Sequence, residues 1–185
     1  MTAVSDFPRP RIGDAPEPFR GGSMTIPPDV ETDTRDLFRS AFRRHAAGVA
    51  VVTTAGPVGF TATSLASVSM EPPLVTFGIG LGSSSWPAIR DRDSFVVHIL
   101  GESQRDLAVL FARSGADRFG PETKYDTLAT GEPVLHGVAA WLRCEIRERF
   151  VAGDHRLVVG LVTEGETIPG RRPLLYHDGT FGSFT

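Results

Sequence analysis

Between Val49 and Leu100 four runs of β-branched or alternating residues follow one another, and most of the gaps between them are too short to hold a helix. Parallel neighbours need crossovers of a dozen or more residues, so this succession demands antiparallel pairing. The first run, Val49 to Thr54, is closed by Ala55-Gly56-Pro57. In the second, Thr61, Thr63, Ser64, Ser67 and Ser69 fall at or near alternate positions beside Ala62, Leu65, Ala66 and Val68. That period-two texture lets one face pack while the other offers hydrogen-bonding groups. Glu71-Pro72-Pro73 stops it, Leu74 to Ile79 forms the third run, and Phe95 to Leu100 the fourth. Gly137 to Glu148, Arg156 to Glu164 and Leu174 to Phe184 add three more strand candidates, separated by turns at Gly153-Asp154 and Pro169-Gly170. Six or seven strands with few intervening helices predict a mainly β fold, an antiparallel β-barrel with peripheral helices, rather than a doubly wound parallel sheet.

Three helices complete the prediction. Asp33 or Thr34 can cap one over roughly residues 35 to 46, where Leu37, Phe38, Ala41 and Phe42 recur at helical spacing opposite arginines, so this helix is expected to pack on something apolar. A short one runs from about Pro87 to Arg92, and residues 103 to 113 place Leu107, Leu110 and Phe111 on one face. Residues 114 to 133 are polar, glycine-bearing and without periodicity, and read as a long loop of the kind that carries function.

With 185 residues, 41% of them apolar, the chain suits one folded domain over residues 31–185. The first thirty residues hold six prolines and three glycines and too little hydrophobic material to offset the entropy of ordering them, so 1–30 is expected to be a disordered extension. Met24, just after Gly21-Gly22, is a candidate physiological start. No apolar stretch resembles a signal peptide or a membrane span, and a net charge of −3 gives no footprint for nucleic acid or an anionic membrane. Cys144 is the only cysteine, which excludes an internal disulfide and fits a reducing cytoplasm. The expectation is a soluble cytoplasmic protein whose partners are small molecules or other proteins.

Candidate chemistry concentrates in two places. Gly80-Leu81-Gly82-Ser83-Ser84-Ser85-Trp86 frees the backbone and offers three hydroxyls ahead of a helix, a loop able to bind an anion. Gly78, Gly80 and Gly82 do not continue as a dinucleotide G-x-G-x-x-G, and no lysine makes this a Walker loop. His155 sits in a Gly-Asp-His turn ahead of an apolar strand. His136, His155 and His177 lack paired metal-ligand spacing, and no G-x-S-x-G nucleophile elbow is present.

The segments FRRHAAGVAVVTT, GFTATSLASVSMEPPLV, SSSWPAI, LFARSGADRFG, GDHRLVVGLV and PLLYHDGTFG resemble, in order and spacing, the short-chain flavin reductases of two-component monooxygenase systems. The resemblance spans about residues 35 to 185. It implies a flavin-binding split β-barrel with Greek-key-like antiparallel strands, usually a homodimer. The implied activity is reduction of FMN or FAD by NADH or NADPH, with reduced flavin passed to a partner flavin-dependent monooxygenase. By the same resemblance Thr61, Ala62, Thr63, Ser64 and Leu65 line the isoalloxazine edge, with Ser67 and Val68 beneath the ring or ribityl chain. Ser83, Ser84 and Ser85 hold the phosphate, Arg118 and Phe119 approach from the long loop, and Tyr176 and Phe181 pack around the pocket. His155 positions the nicotinamide. The phosphate loop departs from many relatives in having no basic residue, a lack for which Arg118 can compensate. Two other readings stay open: a non-catalytic flavin- or haem-binding barrel acting in storage or sensing, and an oxidase of a phosphorylated pyridoxine.

Overall fold

The computed structural model describes residues 32–183, so the first thirty residues and the candidate start at Met24 lie outside the described residues. Helix α1 (Thr32–Arg43) leads into the short β1 (Ala47–Gly48), then β2 (Ala50–Thr54), β3 (Val58–Ala62), β4 (Ala66–Met70) and β5 (Pro73–Gly80). Helix α2 (Trp86–Arg90), β6 (Ser94–Ile99) and α3 (Arg105–Ala112) follow, then β7 (Tyr125–Thr127) and β8 (Pro133–Leu135). Two long strands, β9 (Ala140–Ala152) and β10 (His155–Thr167), precede β11 (Leu175–His177) and β12 (Thr180–Gly182).

Seven strands form one sheet in the order β3-β2-β6-β9-β10-β5-β4, every pairing antiparallel. The mainly β architecture expected from the strand succession is thus present, although the sheet does not close by hydrogen bonds. It curls instead until Phe60 of β3 meets Phe77 of β5, ring centroids 5.7 Å apart. Phe77 also meets Phe95 of β6 edge to face at 5.1 Å, and Val52, Val97, Cys144 and Val158 fill the remaining interior. Gly160 is obligatory here, because a Cβ would lie 2.5 Å from the Phe95 ring.

Strand β2 is buried along its whole length because both of its faces are covered. Ala50 and Val52 point into the curled sheet, while Val51, with Val49 just ahead of the strand, joins Leu100, Ala108, Phe111, Leu135 and Leu174 in a second cluster under α3. Small sheets β1-β11-β12 and β7-β8 close this side. The segment 114–133 is therefore not all loop: Tyr125–Thr127 pairs with Pro133–Leu135.

Two sequence expectations change. Helix α1 begins at Thr32 rather than after an Asp33 or Thr34 cap, and its large apolar residues stay exposed instead of joining either core cluster. Leu37, Phe38 and Phe42 are 68%, 60% and 58% exposed, and the Arg43–Asp178 ion pair at 2.9 Å ties the helix end to the β11-β12 turn. The serine-rich run is two strands, not one, broken at Thr63–Leu65 by a contact described below. No helix among the described residues is long and apolar enough to cross a membrane.

His98 on β6 is fully buried, with Nδ1 3.0 Å from the Val51 carbonyl oxygen. Burial pushes its pKa down to about 4. Between that value and the ordinary 6.5 the unfolded chain binds a proton that the folded chain refuses, so stability falls as pH drops through this window. The loss amounts to about 3 kcal/mol by pH 4. Chemical denaturation between pH 7 and 4.5 should show this slope in the wild type and a shallower one in His98→Asn; equal slopes would remove His98 as the cause.

Candidate functional site

A cavity of about 480 Å³ opens where the break between β3 and β4 faces the end of β5. The break is held from a distance. Ser64 Oγ accepts the Gly78 N–H at 2.9 Å and donates to the Gly78 carbonyl at 3.2 Å, so one side chain satisfies both backbone groups of a residue on β5. The chain therefore turns out of β3 and re-enters the sheet as β4, leaving Ala62 and Thr63 on the cavity rim.

The floor is the C-terminal half of β5. Gly78 and Gly80 lie on one face of that strand, and Gly82 follows just past its end. An added Cβ at Gly80 would meet only His155 Nε2, at 3.9 Å, and at Gly82 nothing, so these glycines keep open a space that side chains would fill. Across the ladder His155 pairs with Gly80, which lays the imidazole along the glycine floor. Its Nδ1 is 2.7 Å from Asp154 Oδ1, an arrangement that fixes the ring plane and leaves Nε2 toward the cavity. The hydrogen bond and charge of His155 hold the Asp154 carboxyl below the usual carboxylate range.

The far wall is the serine loop and Arg118. Ser83 Oγ accepts the Ser85 N–H at 3.3 Å, and Ser85 Oγ accepts from Arg118 Nη1 at 3.3 Å, so both hydroxyls shape the loop while keeping their own protons to donate. Thr63, Ser84 and Ser114 line the cavity with hydroxyls that meet no protein partner among the described residues. Arg118 also donates to the carbonyls of Gly59 at 2.9 Å and Arg113 at 2.8 Å, but among the described residues no carboxylate pairs with it and its buried Nε has no partner. Free hydroxyls, an uncompensated cation and a flat glycine floor suit an anionic group joined to a planar ring.

Of the residues singled out from sequence, Thr61, Ala62, Thr63, Ser64, Ser83, Ser84, Ser85, Arg118 and His155 line this one cavity. The Thr61 hydroxyl is spent on α3, donating to the Ala108 carbonyl at 2.6 Å. Leu65 packs on the sheet interior, and Phe119 stacks edge-on between Phe111 and Tyr125. Ser67 and Val68 sit on β4 outside the cavity, Val68 being exposed. Tyr176 lines a second cavity of about 490 Å³ with Phe181, Val109 and Arg113, which adjoins the first through Thr61, Thr63 and Ala112. Gly78, Gly80 and Gly82 were the signal least used in the sequence: set aside as a dinucleotide motif, their alternation still announces a strand with one bare face.

Comparison with known proteins converges on one family. Residues 42–185 match the model of the flavin reductase like domain. An NADH:FMN oxidoreductase of Rhodococcus qingshengii is 51% identical over 151 residues, covering 78% of this chain and 79% of that one. The reductase subunit HsaB of a flavin-dependent monooxygenase from Mycobacterium tuberculosis is 35% identical over 150 residues, covering 78% and 79%. Among solved structures, the NADH:FAD oxidoreductase SgcE6 of Streptomyces globisporus, in complex with NAD and FAD fragments, is 31% identical. It superposes with a TM-score of 0.79 over 84% of this chain and 96% of that one.

The bare floor makes a prediction. Gly80→Leu should leave the melting temperature near that of the wild type, since nothing but His155 stands near the new Cβ, yet weaken FMN binding at least about tenfold by filling the cavity. Unchanged FMN affinity in a fluorescence titration would move the ligand elsewhere.

Proposed function

We propose, on the premise that the chain belongs to the flavin reductase like domain family, that it reduces FMN or FAD with NADH or NADPH and supplies the reduced flavin to a partner flavin-dependent monooxygenase. The observation that carries this reading is the joining of a glycine-floored slot, a hydroxyl-rich anion wall and an oriented histidine in one cavity. When bound, a flavin supplies the hydride-accepting ring that no side chain can replace.

The protein's share is placement. The Gly78–Gly80 floor admits a flat ring against the backbone, the free hydroxyl of Thr63 gives that ring a polar edge to bond, and the free hydroxyl of Ser84 faces the phosphate end. Ser83, Ser85 and Arg118 gather the phosphate end. His155, with Asp154 holding Nδ1, offers Nε2 over the same floor to orient the dihydropyridine. Hydride transfer needs the reacting atoms held at roughly 3–3.5 Å, and such orientation alone supplies much of the acceleration. His155 acts by position, with no proton to remove.

The working unit in this reading is residues 31–185 assembled as a homodimer in the cytoplasm. Exposed apolar side chains support the dimer: Leu37, Phe38 and Phe42 on α1, and Val68 and Met70 on β4, the last 84% exposed. Faces of this kind are covered in most proteins. The free, buried Cys144 and the need for a reduced nicotinamide pool support the compartment.

Purified protein given NADH or NADPH with FMN, FAD or no flavin should oxidise the nicotinamide only where flavin is present; absence of turnover in every combination overturns the reductase. His155→Ala should lower kcat/KM for the nicotinamide about tenfold or more while leaving KM for flavin within about twofold. A fall confined to the flavin KM would assign His155 to the flavin instead.

A further inference from the structure

The loop from Gly80 to Trp86 contains no basic residue, yet two guanidiniums that meet no carboxylate among the described residues flank it. Arg118 reaches Ser85 directly from the cavity side. The other is Arg156. It stands on β10 between Ile79 of β5 and Val151 of β9, one residue past His155 and so on the opposite face of the sheet from the glycine floor. Its guanidinium carbon lies 4.1 Å over the centre of the Trp86 ring. Trp86 in turn closes the serine loop, its backbone N–H donating to the Ser83 carbonyl at 3.1 Å.

Arg156 Nη1 is buried without a hydrogen-bond partner, and no carboxylate pairs with this side chain among the described residues. Five of the exposed arginines behave otherwise: Arg39, Arg43, Arg90, Arg147 and Arg172 each meet an Asp or Glu. Arg156 as a whole is half-buried, and stacking on the indole offsets part of the cost of burying Nη1 without an acceptor. A charge so placed favours an anion held at the serine loop, whose last turn Trp86 closes.

Resting on the flavin-nucleotide reading above, we propose that Arg156, stacked behind Trp86, is a positioning residue that supplies positive potential to the serine loop and makes the site favour flavin carrying a phosphate over flavin without one. Arg156 does not line the cavity, so it touches no ligand and acts through Trp86 and the loop. A unit charge behind a partly dehydrated wall changes phosphate affinity about tenfold, and leaves a neutral ligand unmoved.

The test is a pair of fluorescence titrations, FMN and riboflavin, on wild type, Arg156→Met and Arg156→Lys, with thermal melts in parallel. In Arg156→Met the FMN dissociation constant should rise about tenfold while that of riboflavin stays within about twofold; Arg156→Lys, which keeps the charge, should restore the wild-type FMN preference. If Arg156→Met does not fold, Arg156→Gln serves the same comparison. FMN and riboflavin weakening together would reduce Arg156 to a packing role and overturn the proposal, as would an FMN affinity that does not move. Wild-type protein that binds neither flavin would overturn the functional reading itself, an outcome distinct from both.

Discussion

The double hydrogen bond from Ser64 to Gly78 is the constraint on which the rest of the site depends. A strand that would otherwise run from Val58 to Met70 is bent out of the sheet because one hydroxyl occupies both backbone groups of Gly78. The bend places Ala62 and Thr63 opposite the glycine floor and leaves β4 free to pair with β5 beyond it. Ser64 thus builds the site more than it decorates it.

The same dependence explains which parts of the structure were legible in the sequence. Strand runs such as Val49–Thr54 and Phe95–Leu100 announced themselves because β-branched composition and short turns are local signals. The break at Thr63–Leu65 did not, because hydroxyl alternation continues on both sides of it and the cause lies fourteen residues away at Gly78. Helix α1 shows the complementary case: its amphipathic pattern was plain, but a pattern names a face and not what covers it. The site residues followed the same rule. Those brought together by neighbouring turns, Thr61–Ser64 and Ser83–Ser85, are found together, whereas Phe119 packs between Phe111 and Tyr125 and Tyr176 against Phe181, ring contacts that no hydroxyl or glycine pattern announces.

Electrostatics divide the molecule into paired and unpaired charge. Glu132 is wholly buried, yet its carboxylate takes hydrogen bonds from Ser94 and Thr130 and faces Arg143 at 3.2 Å. Burial works to raise its pKa, but these donors outweigh burial and hold it below the usual range. Here the fold has provided a buried ion with everything it needs, and the cluster pins the loop before β8 to β6 and β9. Arg118 and Arg156, both half-buried, meet no carboxylate among the described residues, and each keeps one buried nitrogen without a partner. The contrast shows that the chain can compensate a buried charge when stability alone is at stake.

A reductase that delivers its product to another enzyme must bind flavin well enough to orient it and weakly enough to let it go. The anion wall answers that demand in its chemistry. Its contact groups are mostly hydroxyls, and two of the three serines already serve the loop's own geometry. Hydroxyl-to-phosphate bonds contribute less than the bidentate guanidinium clamps found where phosphates are held firmly. Positive charge is present but restrained, the cavity-lining guanidinium of Arg118 tied to two backbone carbonyls and that of Arg156 set back behind an indole. A set-back cation attracts the phosphate during approach without the short, directional contacts that slow departure. The wall therefore biases encounter more than residence, the balance required when flavin is carried away after each turnover.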